Sequence, residues 1–269
     1  MVLHEKVFED SIHMSFGTAI HEAIQLYLTT LYTKTEAEAE ALDLIPGFID
    51  AFKREVTKKN IAHTQAQFDE FVEDGKAILK EFCDPAVRKF HFPRAKYELL
   101  GIEKKFLLDI INNVKLDARL DLVLKEKMSG DIRIVDLKTA TREWDNNTKE
   151  DFTKTSQLVL YKAAYSKANS IPLSKIHVEF MILKRKIYDP EKTKYKQTRI
   201  QVFKPASFQD NVMQVIKEFR GFVEKCFTLE GVHNTTQKYS KIPGKNRTNC
   251  KWCSYLKNGK CDGMADPIE

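Results

Sequence analysis

The chain changes character near residue 95. Before that point apolar residues recur at helical spacing; after it come short segments rich in β-branched and apolar residues. In 16–32 the apolar set is Ile20, Ala23, Ile24, Tyr27, Leu28 and Leu31. Stretches 36–58 and 64–82 read as two further amphipathic helices, and Asp84-Pro85 and Phe92-Pro93 interrupt the pattern. Stretches 96–108, 114–124 and 132–137 then read as strands of a three-strand meander, separated by Asn112-Asn113 and Ser129-Gly130. A helix over 151–168, strands over 176–183 and 198–203, and a long helix over 205–227 follow. This order predicts an α/β fold: a small mixed β-sheet flanked by helices, with an N-terminal helical subdomain and a C-terminal cysteine-rich appendage. A single folded unit is expected, divided into 1–95 (helical), 96–228 (core) and 229–269 (tail).

A hydrophobic fraction of 42% suits a packed globular chain rather than a disordered one. No apolar run is long enough to span a membrane, and the first ten residues, Met1 to Asp10, lack a signal-peptide pattern. A soluble cytoplasmic protein is the expectation. The net charge of +6 permits nucleic-acid binding without requiring it. Basic residues cluster in Lys184-Arg185-Lys186, in 192–199 and in 238–260. Each run reads equally as a solvated loop.

Asp136-Leu137-Lys138 directly follows the apolar strand Ile132-Arg133-Ile134-Val135. In an alternating strand Asp136 and Lys138 share a face, as a salt bridge or as paired chemistry. Asp121 ends another apolar stretch fifteen positions earlier. A carboxylate so closely flanked by apolar residues needs an edge, a bend or a partner. Two carboxylates and a lysine at strand ends are the minimum set for metal-assisted phosphodiester hydrolysis. His21, in Gly17-Thr18-Ala19-Ile20-His21, sits one turn into the first helix; taken alone it reads as structural, but imidazole also suits Mn²⁺. Glu103 falls on the first predicted strand, where an exposed position is the simpler reading. Gln157 and Tyr161 share one face of the following helix, either for packing or for contact with a phosphate or the lysine.

Five cysteines are present, and Cys250, Cys253 and Cys261 crowd the last 20 residues. Without a secretion signal this reads as metal binding before disulfides. Three thiolates are one short of a closed zinc site or a standard [4Fe–4S] cluster. Cys226, Cys83 and His233 are candidates for the fourth ligand.

In order and spacing, Gly17–His21, Glu103, Asp121, Asp136-Leu137-Lys138-Thr139 and Gln157-x-x-x-Tyr161 resemble the RecB-like branch of the PD-(D/E)XK nuclease superfamily. The tail cysteines resemble its iron–sulfur subgroup, which includes AddB-type, CRISPR-associated and phage nucleases. The resemblance implies a deoxyribonuclease, exonucleolytic or single-strand-directed, in recombination, repair or phage replication. It implies that His21, Asp121, Asp136 and the Leu137 carbonyl bind Mg²⁺ or Mn²⁺. Lys138 would orient the attacking water, Glu103 would assist, and Gln157 and Tyr161 would support the site or the DNA strand. It further implies a [4Fe–4S] cluster, with Zn²⁺ as the alternative. Two departures stand out: Ala118 replaces a usual glycine, and no cysteine precedes Cys83. The second implies that a usual N-terminal segment is absent or that the fourth ligand comes from elsewhere. A catalytically inactive DNA-binding module is the competing expectation. No Gly-x-x-x-x-Gly-Lys-Ser/Thr motif occurs, so any unwinding would need a helicase partner.

Overall fold

A computed structural model describes residues 10–264, apart from 196, 238–239, 242, 244–249, 252, 258 and 260. Five strands form one sheet in sequence order: β1 (Tyr97–Asp109), β2 (Lys115–Glu126), β3 (Ile132–Ala140), β4 (Ile176–Lys184) and β5 (Ile200–Phe203). The first three make the expected antiparallel meander. β3 and β4 are parallel, and β5 returns antiparallel to β4. A parallel pair needs a crossover, supplied here by α6 (Asn146–Glu150) and α7 (Phe152–Asn169).

Both faces of the sheet are covered. On one lie α1 (Ile12–Thr33), α3 (Leu44–Lys58) and α4 (Gln65–Phe82), whose Phe16, Ile20, Phe48, Phe52 and Phe71 share a core with Leu122, Leu124, Val135, Leu137 and Met181. On the other, Leu158 and Tyr165 of α7 pack on Leu120, Val123, Ile134, Val178 and Phe180. Burial on both sides suits the second half of β4, where Phe180, Met181, Ile182 and Leu183 are consecutive apolar residues, all buried. The helix α8 (Gln209–Cys226) docks outside α7 through Val212 and Val215 against Val159. No helix among the described residues is long and apolar enough to cross a membrane.

Five expectations are corrected. The first helix starts at Ile12 rather than Phe16, which places His21 near the middle of α1 instead of one turn in. The helix expected over 36–58 is two, α2 (Glu36–Glu40) and α3. Pro46 would clash with the carbonyl of Leu42, so no helix runs through that turn; Asp43 instead caps α3, accepting from the Ile45 N–H at 3.2 Å. The two Pro-containing breaks flank a further short helix, α5 (Pro85–His91), capped by Asp84 with Pro85 at its first position. The last long helix begins at Gln209 rather than at Pro205.

The fifth correction concerns charge. Lys184-Arg185-Lys186 is not a free basic patch. Lys184 pairs with Glu143 at 3.3 Å. Arg185 is buried, 3.0 Å from Asp74 and stacked 3.5 Å above the Phe71 ring. Lys186 reaches Glu70 at 2.8 Å and Asp74 at 2.9 Å. The run braces β4 against α4. Much of the 238–260 stretch lies outside the described residues.

Candidate active site

The β2–β3 ladder runs only from Leu122 opposite Val135 to Lys125 opposite Ile132. Pairing stops where Asp121 would face Asp136. The freed Leu137 N–H donates to Asp121 Oδ2 at 2.7 Å, so a side chain replaces the missing ladder bond. The His21 Nδ1 lies 3.9 Å from the same Asp121 oxygen.

Alternation inverts at the same level. Leu120 and Val123 lie on the α7 face, while Leu122 and Leu124 lie on the α1 face. Across the ladder Glu103 falls between the pairs Ile102–Leu122 and Lys104–Leu120, with a left-handed φ of 50°. That conformation costs a glutamate about 1–2 kcal/mol and turns its side chain out of the strand's regular alternation. Gln25 Nε2 donates to Glu103 Oε1 at 2.6 Å, and Arg119 Nε lies 3.4 Å from Oε2.

α1 approaches β3 closely because Gly17 has no side chain. A Cβ there would lie 3.0 Å from Thr139 Oγ1. His21 and Gln25 follow at one-turn intervals on the same helix face. The outcome is convergence: ligand atoms of His21, Glu103 and Asp121 lie within 4.8 Å of one another.

Asp136 sits beside this group, 4% exposed, with the Lys138 ammonium 2.7 Å from its Oδ2. Apart from this ammonium, the buried Oδ2 has no partner among the described residues. Lys138 Nζ donates to Gln157 Oε1 at 3.4 Å, and Gln157 Nε2 donates to the Tyr161 hydroxyl at 3.1 Å. The D-x-K face, the amide and the phenol thus form one chain of polar contacts.

Burial dominates the electrostatics. It raises Asp121 to about 6, against the opposing pull of the Leu137 N–H and Lys138. It also raises Asp136 to about 6, helped by the charge of Asp121 and opposed by Lys138. Lys138 itself is pulled down by burial, but the neighbouring carboxylates outweigh this and leave it raised, hence protonated. Burial lowers His21, which favours the neutral ring that a metal requires. An imidazole and crowded, buried carboxylates fit a hard divalent cation.

A model of the PD-(D/E)XK nuclease superfamily matches residues 4–257. The chain belongs to that superfamily. Among curated proteins none matches. Two solved structures are similar to this PD-(D/E)XK protein. One is described as "Putative exonuclease" from Eubacterium rectale: 13% identity, TM-score 0.41, covering 95% of this chain and 77% of that one. The other is SSO0001: 12% identity, TM-score 0.34, covering 97% and 89%. Superfamily membership makes the protein a nuclease, an enzyme that hydrolyses phosphodiester bonds.

The tail of this nuclease is a separate matter. Cys250, Cys253 and Cys261 are half-buried free thiols around α9 (Ser254–Lys257). Cys250 Sγ lies 4.0 Å from the Gly263 carbonyl, and the Gly263 N–H donates to Cys261 Sγ at 3.4 Å. Cys83 is held in the helical layer, its thiol pushed up to about 12 by burial. Cys226 ends α8, and His233 stacks on Phe227.

Sequence reading missed Gln25, Arg119 and the contact of Gly17 with Thr139. Gln25 carried a signal, its i+4 position from His21. Arg119 carried none, because its partner is fixed by the backbone turn at Glu103.

Proposed function

We propose that the protein is a Mg²⁺- or Mn²⁺-dependent deoxyribonuclease of the RecB-like branch, acting from DNA ends or on single strands. The observation that carries this is the convergence of His21, Glu103 and Asp121 beside the Asp136–Lys138 pair. His21, Asp121, Asp136 and the Leu137 carbonyl would hold the cation, with Glu103 completing the donor set. When bound, the cation supplies charge neutralisation and water activation. Asp121 ties the β2 and β3 ends together through the Leu137 N–H. Lys138 keeps its proton and places positive charge where negative charge grows on the phosphate. Gln157 fixes the ammonium from one side, and Tyr161 orients the Gln157 amide.

Residues 1–95 would be the helical part that delivers His21, 96–228 the core, and 229–269 a tail pinned by a [4Fe–4S] cluster, with Zn²⁺ the alternative and the fourth ligand unassigned. The setting would be cytoplasmic, in recombination, repair or phage replication, with unwinding left to a helicase partner. The test is cleavage of end-labelled single- and double-stranded DNA with Mn²⁺ or Mg²⁺. Lys138→Ala should lower the rate roughly 100-fold or more. Equal, background-level products from wild type and Lys138→Ala would refute the assignment.

A further inference from the structure

Beyond Lys138 the β3 chain keeps running beside β4. The Arg185 N–H donates to the Ala140 carbonyl at 2.9 Å, and the Lys186 N–H donates to the Thr141 carbonyl at 2.8 Å. The two chains then present Arg142 and Tyr188 together, the guanidinium carbon 4.7 Å from the centre of the phenol ring. Tyr188 is 46% exposed. The same β4–β5 connection carries Tyr195, 82% exposed, and the exposed Lys192, which pairs loosely with Asp189 at 3.5 Å.

Charge alone does not make this a duplex-binding face. The basic run beside it is neutralised internally by Glu70, Asp74 and Glu143. What remains outward is aromatic surface with scattered positive charge. That combination takes unpaired bases by stacking and holds their phosphates weakly. Bases within a duplex have their faces covered and gain nothing from it. Arg142 lies four residue steps beyond Lys138, at most about 13 Å of extended chain. That is roughly four nucleotides at the spacing of a stacked strand.

We infer that Tyr188, backed by Arg142, is a stacking step for an unpaired base of the strand whose phosphate lies at Lys138, and that it biases this protein toward single-stranded DNA. The inference rests on the nuclease reading for the position of the phosphate, yet its test does not require cleavage. Binding of the full chain to labelled oligo(dT) and to a blunt hairpin duplex is measured by fluorescence anisotropy in EDTA. Tyr188→Ala should weaken oligo(dT) binding at least roughly 5-fold, since stacking on one aromatic ring is worth that much or more. Tyr188→Phe keeps the ring and should stay close to wild type, and duplex affinity should not move in either variant. Equal oligo(dT) affinity of wild type and Tyr188→Ala overturns the inference. So does an equal loss on the duplex, or an absence of oligo(dT) binding by wild type. Cleavage by Lys138→Ala judges the nuclease reading separately, so the two fail on different measurements.

Discussion

The Leu137 N–H donates to Asp121 Oδ2 at 2.7 Å where the β2–β3 ladder ends, so one carboxylate serves both as strand tie and as candidate metal ligand. The two roles separate by substitution. Asp121→Asn keeps a carbonyl oxygen for the N–H and loses the charge. Asp121→Ala loses both and leaves a buried donor unpaired, which costs about 1–3 kcal/mol. Both variants should lack cleavage and cation binding, but only the alanine should melt markedly earlier. Equal melting of the two in the absence of cation would show that the strand tie contributes nothing.

The raised carboxyls set a pH dependence with a definite sign. Asp121 and Asp136 titrate at about 6 in the folded chain, burial being the leading cause. An unfolded carboxyl titrates near about 4. Between these values the native state holds protons that the unfolded chain has lost. The pair's contribution to stability is therefore present below about pH 4 and lost as pH rises through about 6. Cation-free wild type should lose stability across that window relative to an Asp121→Asn/Asp136→Asn double variant. Saturating Mn²⁺ should reverse the trend, because it binds the ionised pair. Denaturant melts of both proteins at pH 4.5 and 7.5, values chosen about the two titrations, check it; parallel pH profiles would sink it.

Gln25 touches Glu103, not the reacting atoms, and acts as a positioning residue. Its amide holds Oε1 at 2.6 Å, one helical turn from His21. Removing a group that orients a ligand typically lowers metal affinity roughly 10–100-fold. Gln25→Ala should show that loss for Mn²⁺ by calorimetry, with cleavage partly restored at high Mn²⁺ and unchanged melting. Wild-type Mn²⁺ affinity in Gln25→Ala would remove Gln25 from the site.

How much of this was legible follows from what each signal depends on. Asp136 and Lys138 could be placed on one face because strand alternation is local. The β-meander and the mixed character of the sheet were equally visible, whereas the parallel β3–β4 pairing and the order of the strands emerged only in the fold. Glu103 was placed on its strand but not in its backbone state: no residue pattern announces a left-handed φ at a glutamate. The basic run 184–186 was misleading because charge counting does not see burial, and Asp74 and Glu70 arrive from more than a hundred residues away. The convergence of His21 with strands far along the chain rests on Gly17. No pattern in the sequence marked that residue's steric use.

This steric role is open to a double-mutant cycle. Alanine in a helix interior is favoured over glycine by about 1 kcal/mol. At residue 17, however, the new methyl would stand 3.0 Å from Thr139 Oγ1, a contact that forces α1 or Thr139 to shift. Gly17→Ala should therefore gain less than the helix propensity alone, or lose stability, and should reduce cleavage by moving His21. Thr139→Ala removes the opposing hydroxyl. In that background Gly17→Ala should recover its propensity gain and most of the cleavage lost. The coupling, on the order of 1 kcal/mol for residues in contact, is read from denaturant melts of the four proteins. Additive effects would mean that α1 does not depend on this contact to carry His21 to the strands.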